Sequence, residues 1–77
     1  VANSLAQEIE KILSDELGEF IARATVKKNC ELIGCAPEAL TTAQLPELAE
    51  SISKSVTFFS GEGKGKELAD RIRNLKA

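Results

Sequence analysis

The chain has 77 residues, 43% hydrophobic and 29% charged, a balance that excludes a disordered segment and fits a single helical domain over residues 1–77. Its net charge of −2, from 12 acidic and 10 basic side chains, counts against a nucleic-acid binder, which carries a basic excess. No apolar run approaches the roughly 20 residues needed to cross a bilayer, and no basic-then-apolar leader opens the chain, so a cytoplasmic protein with no membrane contact is expected.

Four helices are predicted. The first covers residues 3–13, where Leu5, Ile9, Ile12 and Leu13 recur on one face. Ser14 and Asp15 are placed to cap the second helix. That helix covers 15–33 and is apolar on two sides. Leu17, Phe20, Ile21 and Ala24 form one stripe, and Ala22, Val26, Cys30 and Ile33 the other, so this helix is expected to sit centrally between neighbours. Gly18 weakens the pattern and predicts a bend where the first two helices meet. Gly34, with Pro37 beyond it, marks the C-terminal cap.

The third helix opens on a T-x-x-Q capping box, Thr41 and Gln44, with Leu40 and Leu45 spaced as a hydrophobic staple. Pro46 either kinks this helix or starts its main body after one preliminary turn. From there Leu45, Leu48, Ala49, Ile52, Val56 and Phe59 make a continuous stripe, while Phe58 falls on the side of Ser51 and Ser55. Val56 to Phe59 also suits a short strand, a reading set aside because a lone strand has no partner. The stretch Gly61-Glu62-Gly63-Lys64-Gly65 reads as a flexible connection, and residues 66–75 as a fourth helix with Leu68, Ala69, Ile72 and Leu75 inward. No internal repeat is evident. The chain opens at Val1 rather than Met, which fits a processed chain or a piece of a longer one.

Chemistry is sparse. Histidine is absent, which removes the commonest general base and metal ligand and makes any Ser-His-Asp or Cys-His arrangement impossible within the chain. Cys30 and Cys35 are the only cysteines, two short of a structural zinc site. Free thiols are expected, although the break at Gly34 leaves room for a disulfide. Residues 56–66 mimic a phosphate loop but fail its pattern: Ser60 replaces the first glycine, Glu67 replaces the magnesium-binding hydroxyl, and Glu62 repels phosphate. A weaker anion site at the start of the fourth helix, with Lys64 and Lys66, is set below the plain connecting segment. The carboxylates Glu8, Glu10, Asp15, Glu16 and Glu19 read as solvated helix faces. For a helix-turn-helix the connection from Gly34 to Thr41 is too long, and Glu47 and Glu50 would repel DNA.

The expected architecture is therefore an all-α, compact, four-helix bundle-like domain with a central second helix. The expected role is protein–protein interaction, either as a homodimer or with a larger regulatory partner, without catalysis, metal or cofactor. Phe58, Val26, Cys30 and Ile33 are the candidate partner-binding residues. The alternatives are a weak nucleic-acid binder using the basic residues Lys64, Lys66, Arg71, Arg73 and Lys76, or an accessory domain of a larger enzyme. The third-helix stripe generates a direct test: Ile52→Ala should lower stability by about 2–5 kcal/mol, as large core truncations do. Urea denaturation checks it, and a loss within about 0.5 kcal/mol would place Ile52 on the surface.

Overall fold

The computed structural model describes residues 3–75; Lys76, one of the bases assigned to the last helix, lies outside them. The described residues form α1 (Ser4–Leu17), α2 (Glu19–Leu32), two single 3₁₀ turns (Pro37–Ala39 and Thr42–Gln44), α3 (Leu45–Ser60) and α4 (Glu62–Arg73), with no strand among them. The fold is all-α, and the Val56 to Phe59 stretch lies inside α3.

Two boundaries differ from the sequence reading, for one reason. The first helix continues to Leu17, because Ser14 does not cap a new helix: its hydroxyl donates back to the Lys11 carbonyl at 2.8 Å. The break falls on Gly18, whose φ of 84° lies in a region that only glycine enters without strain. Its N–H closes α1 on the Ser14 carbonyl at 2.9 Å, and its own carbonyl accepts from Ala22 to open α2 at 2.9 Å. Gly61 repeats the device. With φ 93° it donates to Thr57 at 3.0 Å and accepts from Gly65 at 3.0 Å. The 61–65 stretch is thus not a flexible connection. Gly61 alone is the corner, and the rest is the first turn of α4. Glu19 and Glu62 come directly after the two corners, at helix starts where a negative charge is favoured.

The core collects Leu5, Ile9, Ile12 and Leu13 of α1, Ala22, Val26 and Cys30 of α2, Leu45, Leu48, Ile52 and Val56 of α3, and Leu68 and Ile72 of α4. Helix α2 packs against α1 and α3, but on one face only. The expected second buried stripe is corrected: Phe20 is 80% exposed, Ile21 is 38% exposed and Ala24 is exposed. The Gly18 corner resets the helical phase, so Leu17 stays with α1 and the residues counted from it turn outward. The inner face of α2 also carries a buried polar residue. Asn29 donates to the Thr25 carbonyl at 2.8 Å and to Ser55 Oγ at 3.3 Å, and accepts from Ser51 Oγ at 2.6 Å. No buried side-chain nitrogen or oxygen among the described residues lacks a partner, so this network fixes the α2–α3 alignment without leaving an orphaned polar atom.

The loop between α2 and α3 is tied at both ends. The capping box forms, with Gln44 accepting from the Thr41 N–H at 3.0 Å. Leu40 and Leu45 are both buried. Pro46 causes no kink; it sits in the first turn of α3, after the preliminary Thr42–Gln44 turn. At the start of α1, Asn3 caps the helix through Ala6 N–H at 2.9 Å. It also reaches across the fold, donating its side-chain amide to the Leu40 carbonyl at 2.8 Å and its backbone N–H to Pro37 at 3.2 Å.

Helices α3 and α4 make the most extensive contact in the molecule, and Gly65 permits their close approach. A Cβ built on Gly65 would overlap Thr57 Oγ1 and come within 2.8 Å of the Ser53 carbonyl and 3.2 Å of the Thr57 nitrogen. Gly63, earlier in the same helix, faces open space. The two alanine substitutions should therefore move stability in opposite directions. Gly63→Ala gains up to about 1 kcal/mol from helix propensity. Gly65→Ala loses about 1–2 kcal/mol, because overpacking against backbone atoms outweighs the same gain. The check is the urea midpoint of each variant against the parent; a shift in one direction for both would show that α4 does not press on α3 at Gly65.

Candidate functional site

The four residues assigned to partner binding separate in the structure. Phe58 stands 94% exposed on α3. Val26 and Cys30 are fully buried on the inner face of α2 and have no surface to offer a partner, because that face packs on the core beside Asn29. Ile33, the C-cap of α2, is half-buried against the core. The other strongly exposed large apolar side chains are Phe20 at 80% and Phe59 at 69%, both of which the sequence pattern had assigned to the core, and Leu32 near the end of α2. Every phenylalanine in the chain is thus on the surface, which is unusual for side chains that bury about 150–250 Å² each when they pack.

Helix phase explains the placement. Ser53 and Thr57 take the contact with α4 at Gly65. One residue turns an α-helix by about 100°, so Phe58 and Phe59 lie about 100° and 200° from Thr57. On α2, Phe20 is about 200° from the buried Ala22. The only legible sign of this was the Gly-Glu pair at each corner, Gly18-Glu19 and Gly61-Glu62, which ends one helical phase and begins another.

The three phenylalanines lie near the corner end of the bundle, each on its own helix face. Lys64 Nζ, in the first turns of α4, lies 3.5 Å from Glu16 Oε1 in the last turn of α1, which sets the Gly18 and Gly61 corners side by side. Phe20 is two residues beyond one corner; Phe58 and Phe59 are three and two residues before the other. Charges of both signs rim this end. Glu19 and Arg23 pair at 3.2 Å on α2, and Lys64 also pairs with Glu67 at 3.1 Å. The hydrogen bond to Glu67, then the charges of Glu67 and Glu16, push the Lys64 ammonium's pKa up. That engagement leaves the start of α4 poorly suited to an anion, since its lysine already faces two carboxylates. On the same helix Arg73 pairs with Asp70 at 2.8 Å.

Elsewhere the surface offers little chemistry. No group of three Cys, Asp or Glu side chains comes together among the described residues. Among them no helix is long and apolar enough to cross a membrane. An open cleft of about 590 Å³ lies at the opposite end, between the cap residue Asn3, Leu5 and Glu8 of α1, and Leu40, Thr41 and Leu75. Compared with known proteins, the chain matches no family model, no curated protein and no solved structure. The exposed rings make their own prediction. Phe20→Ala and Phe58→Ala, measured by urea denaturation in dilute solution, should each change stability by no more than about 0.5 kcal/mol, as surface substitutions do. A loss of about 3–5 kcal/mol, typical of a buried phenylalanine, would place that ring in the core.

Proposed function

We propose that this chain is a non-catalytic protein-interaction domain that self-associates through its aromatic end, with a second copy as the partner. The observation that carries the reading is that all three phenylalanines, each within three residues of a corner glycine, are exposed on a fold whose core is built from aliphatic side chains. Scattered surface apolar residues are ordinary, but clustered aromatic rings with a polar rim mark contact sites. Aromatic side chains are also the residues most enriched at the centres of protein interfaces.

The rim favours a copy of the same chain. It carries Glu19 and Arg23 on α2, Glu62 at the α3–α4 corner and Lys54 one turn before Phe58 on α3, so both signs are present and a two-fold arrangement can set each against its opposite. A strongly one-signed rim would instead have called for a partner of opposite charge. For the same reason a nucleic-acid role is disfavoured: two of the α4 bases, Lys64 and Arg73, are held by neighbouring carboxylates.

Light scattering of the parent chain and of Phe58→Asp decides the matter. The parent should be a dimer at high micromolar concentration, and the variant a monomer with unchanged helical circular dichroism. A parent chain that stays monomeric at that concentration would overturn self-association, and a variant that still dimerises would remove Phe58 from the interface.

A further inference from the structure

We propose that Cys30 and Cys35 are a thiol pair that closes reversibly into an intrachain disulfide by exchange with a small-molecule disulfide. The pair is built by the way α2 ends. Cys35 donates its N–H to the Cys30 carbonyl at 2.9 Å, and Gly34 donates to Glu31 at 3.1 Å, the two crossed bonds of a Schellman turn around the Ile33 cap. In that turn the third residue before the cap and the second after it are the positions whose side chains meet. Here both are cysteine. A 2.9 Å bond between the two residues' own peptide groups is compatible with the Cα separation a disulfide needs, about 4.4–6.8 Å. Cys35 is also packed against the core cluster to which Cys30 belongs, so both side chains lie on the inner side of the turn.

The two sulfurs are not equivalent, and this sets the order of steps. Cys30 is fully buried and Cys35 half-buried, both as free thiols. Burial, then the neighbouring Cys35 side chain, pushes the Cys30 thiol up to about 12, so it is not the sulfur that reacts first. Cys35 is the sulfur that an external reagent reaches. As thiolate it attacks one sulfur of R–S–S–R; that S–S bond breaks, a mixed disulfide forms on Cys35, and RS⁻ leaves and takes up a proton. The Cys30 sulfur then attacks the Cys35 sulfur of the mixed disulfide; the Cys35–SR bond breaks, and the Cys30 proton passes to the departing RS⁻, which leaves as a thiol. Two cysteine thiols are oxidised by two electrons, and one small disulfide is reduced to two thiols. The bridge would join the last turn of α2 to the loop that Asn3 holds through Pro37 and Leu40, one residue beyond the Asn29 network.

The test is to incubate the full chain with oxidised glutathione, alkylate without reductant and weigh it intact. The expected product is a monomer lacking two hydrogens, carrying neither alkyl groups nor glutathione, and returning to a doubly alkylated chain after dithiothreitol. Cys30→Ala, which cannot complete the second step, should stop at one bound glutathione. A parent chain that keeps a glutathione adduct, that remains doubly alkylated, or that links to another copy through sulfur would overturn the proposal. Those outcomes on the parent chain stand even if the core substitution at Cys30 impairs folding.

Discussion

Helix α1 passes into α2 through one residue, and α3 into α4 through one residue. With Gly18 and Gly61 as the whole of each connection, there is no slack to rotate the second helix of a pair about its axis. The backbone angles of these glycines, φ 84° with ψ 155° and φ 93° with ψ 163°, are nearly the same. They fix the phase of α2 against α1 and of α4 against α3. That geometry determines which side chains of α2 reach the core and which meet water. The chain is built as two helix–glycine–helix units of like construction, although their sequences share little beyond the Gly-Glu pair.

The two units are then joined by different chemistry at different levels. Inside, aliphatic side chains from all four helices close one core. Between α2 and α3 the contact is partly polar, and Asn29 with Ser51 and Ser55 selects one alignment where an all-apolar seam would tolerate sliding. At the corner end, Glu16 and Lys64 join α1 to α4 across the surface. Exposed ion pairs of this kind contribute little to stability, so the core and the Asn29 network carry most of the alignment. At the far end Asn3 ties the α2–α3 loop to the start of α1 with both its side chain and its backbone. A small domain has a thin core, and these polar ties supplement it.

The same constraint accounts for the surface. A helix held in one phase must show its opposite face to water, and on α2 and α3 those faces carry Phe20, Phe58 and Phe59. The apolar surface at the corner end is therefore a consequence of close connections inside the fold, and it is the feature on which the proposed self-association rests. The thiol pair has a comparable origin: it exists because a Schellman turn, needed to end α2, happens to be flanked by two cysteines.

The sequence by itself determined the four helices, the capping box and staple before α3, the terminating turn at Gly34, and most of the core. Local signals suffice for these: periodicity, a hydroxyl with a glutamine three residues on, and a glycine with a proline beyond it act within a few residues. It did not determine the exact corners, the open face of α2, or the position of Phe59 beyond the end of its stripe. Nor did it show that Gly65 lies against Ser53 and Thr57, or that Asn29 is buried. Those depend on which helix packs on which side, and a periodic apolar face is the same string of residues whether a neighbour covers it or water does. Tertiary structure decided it, through two corner glycines that set the phase and a third glycine that lets α3 and α4 approach.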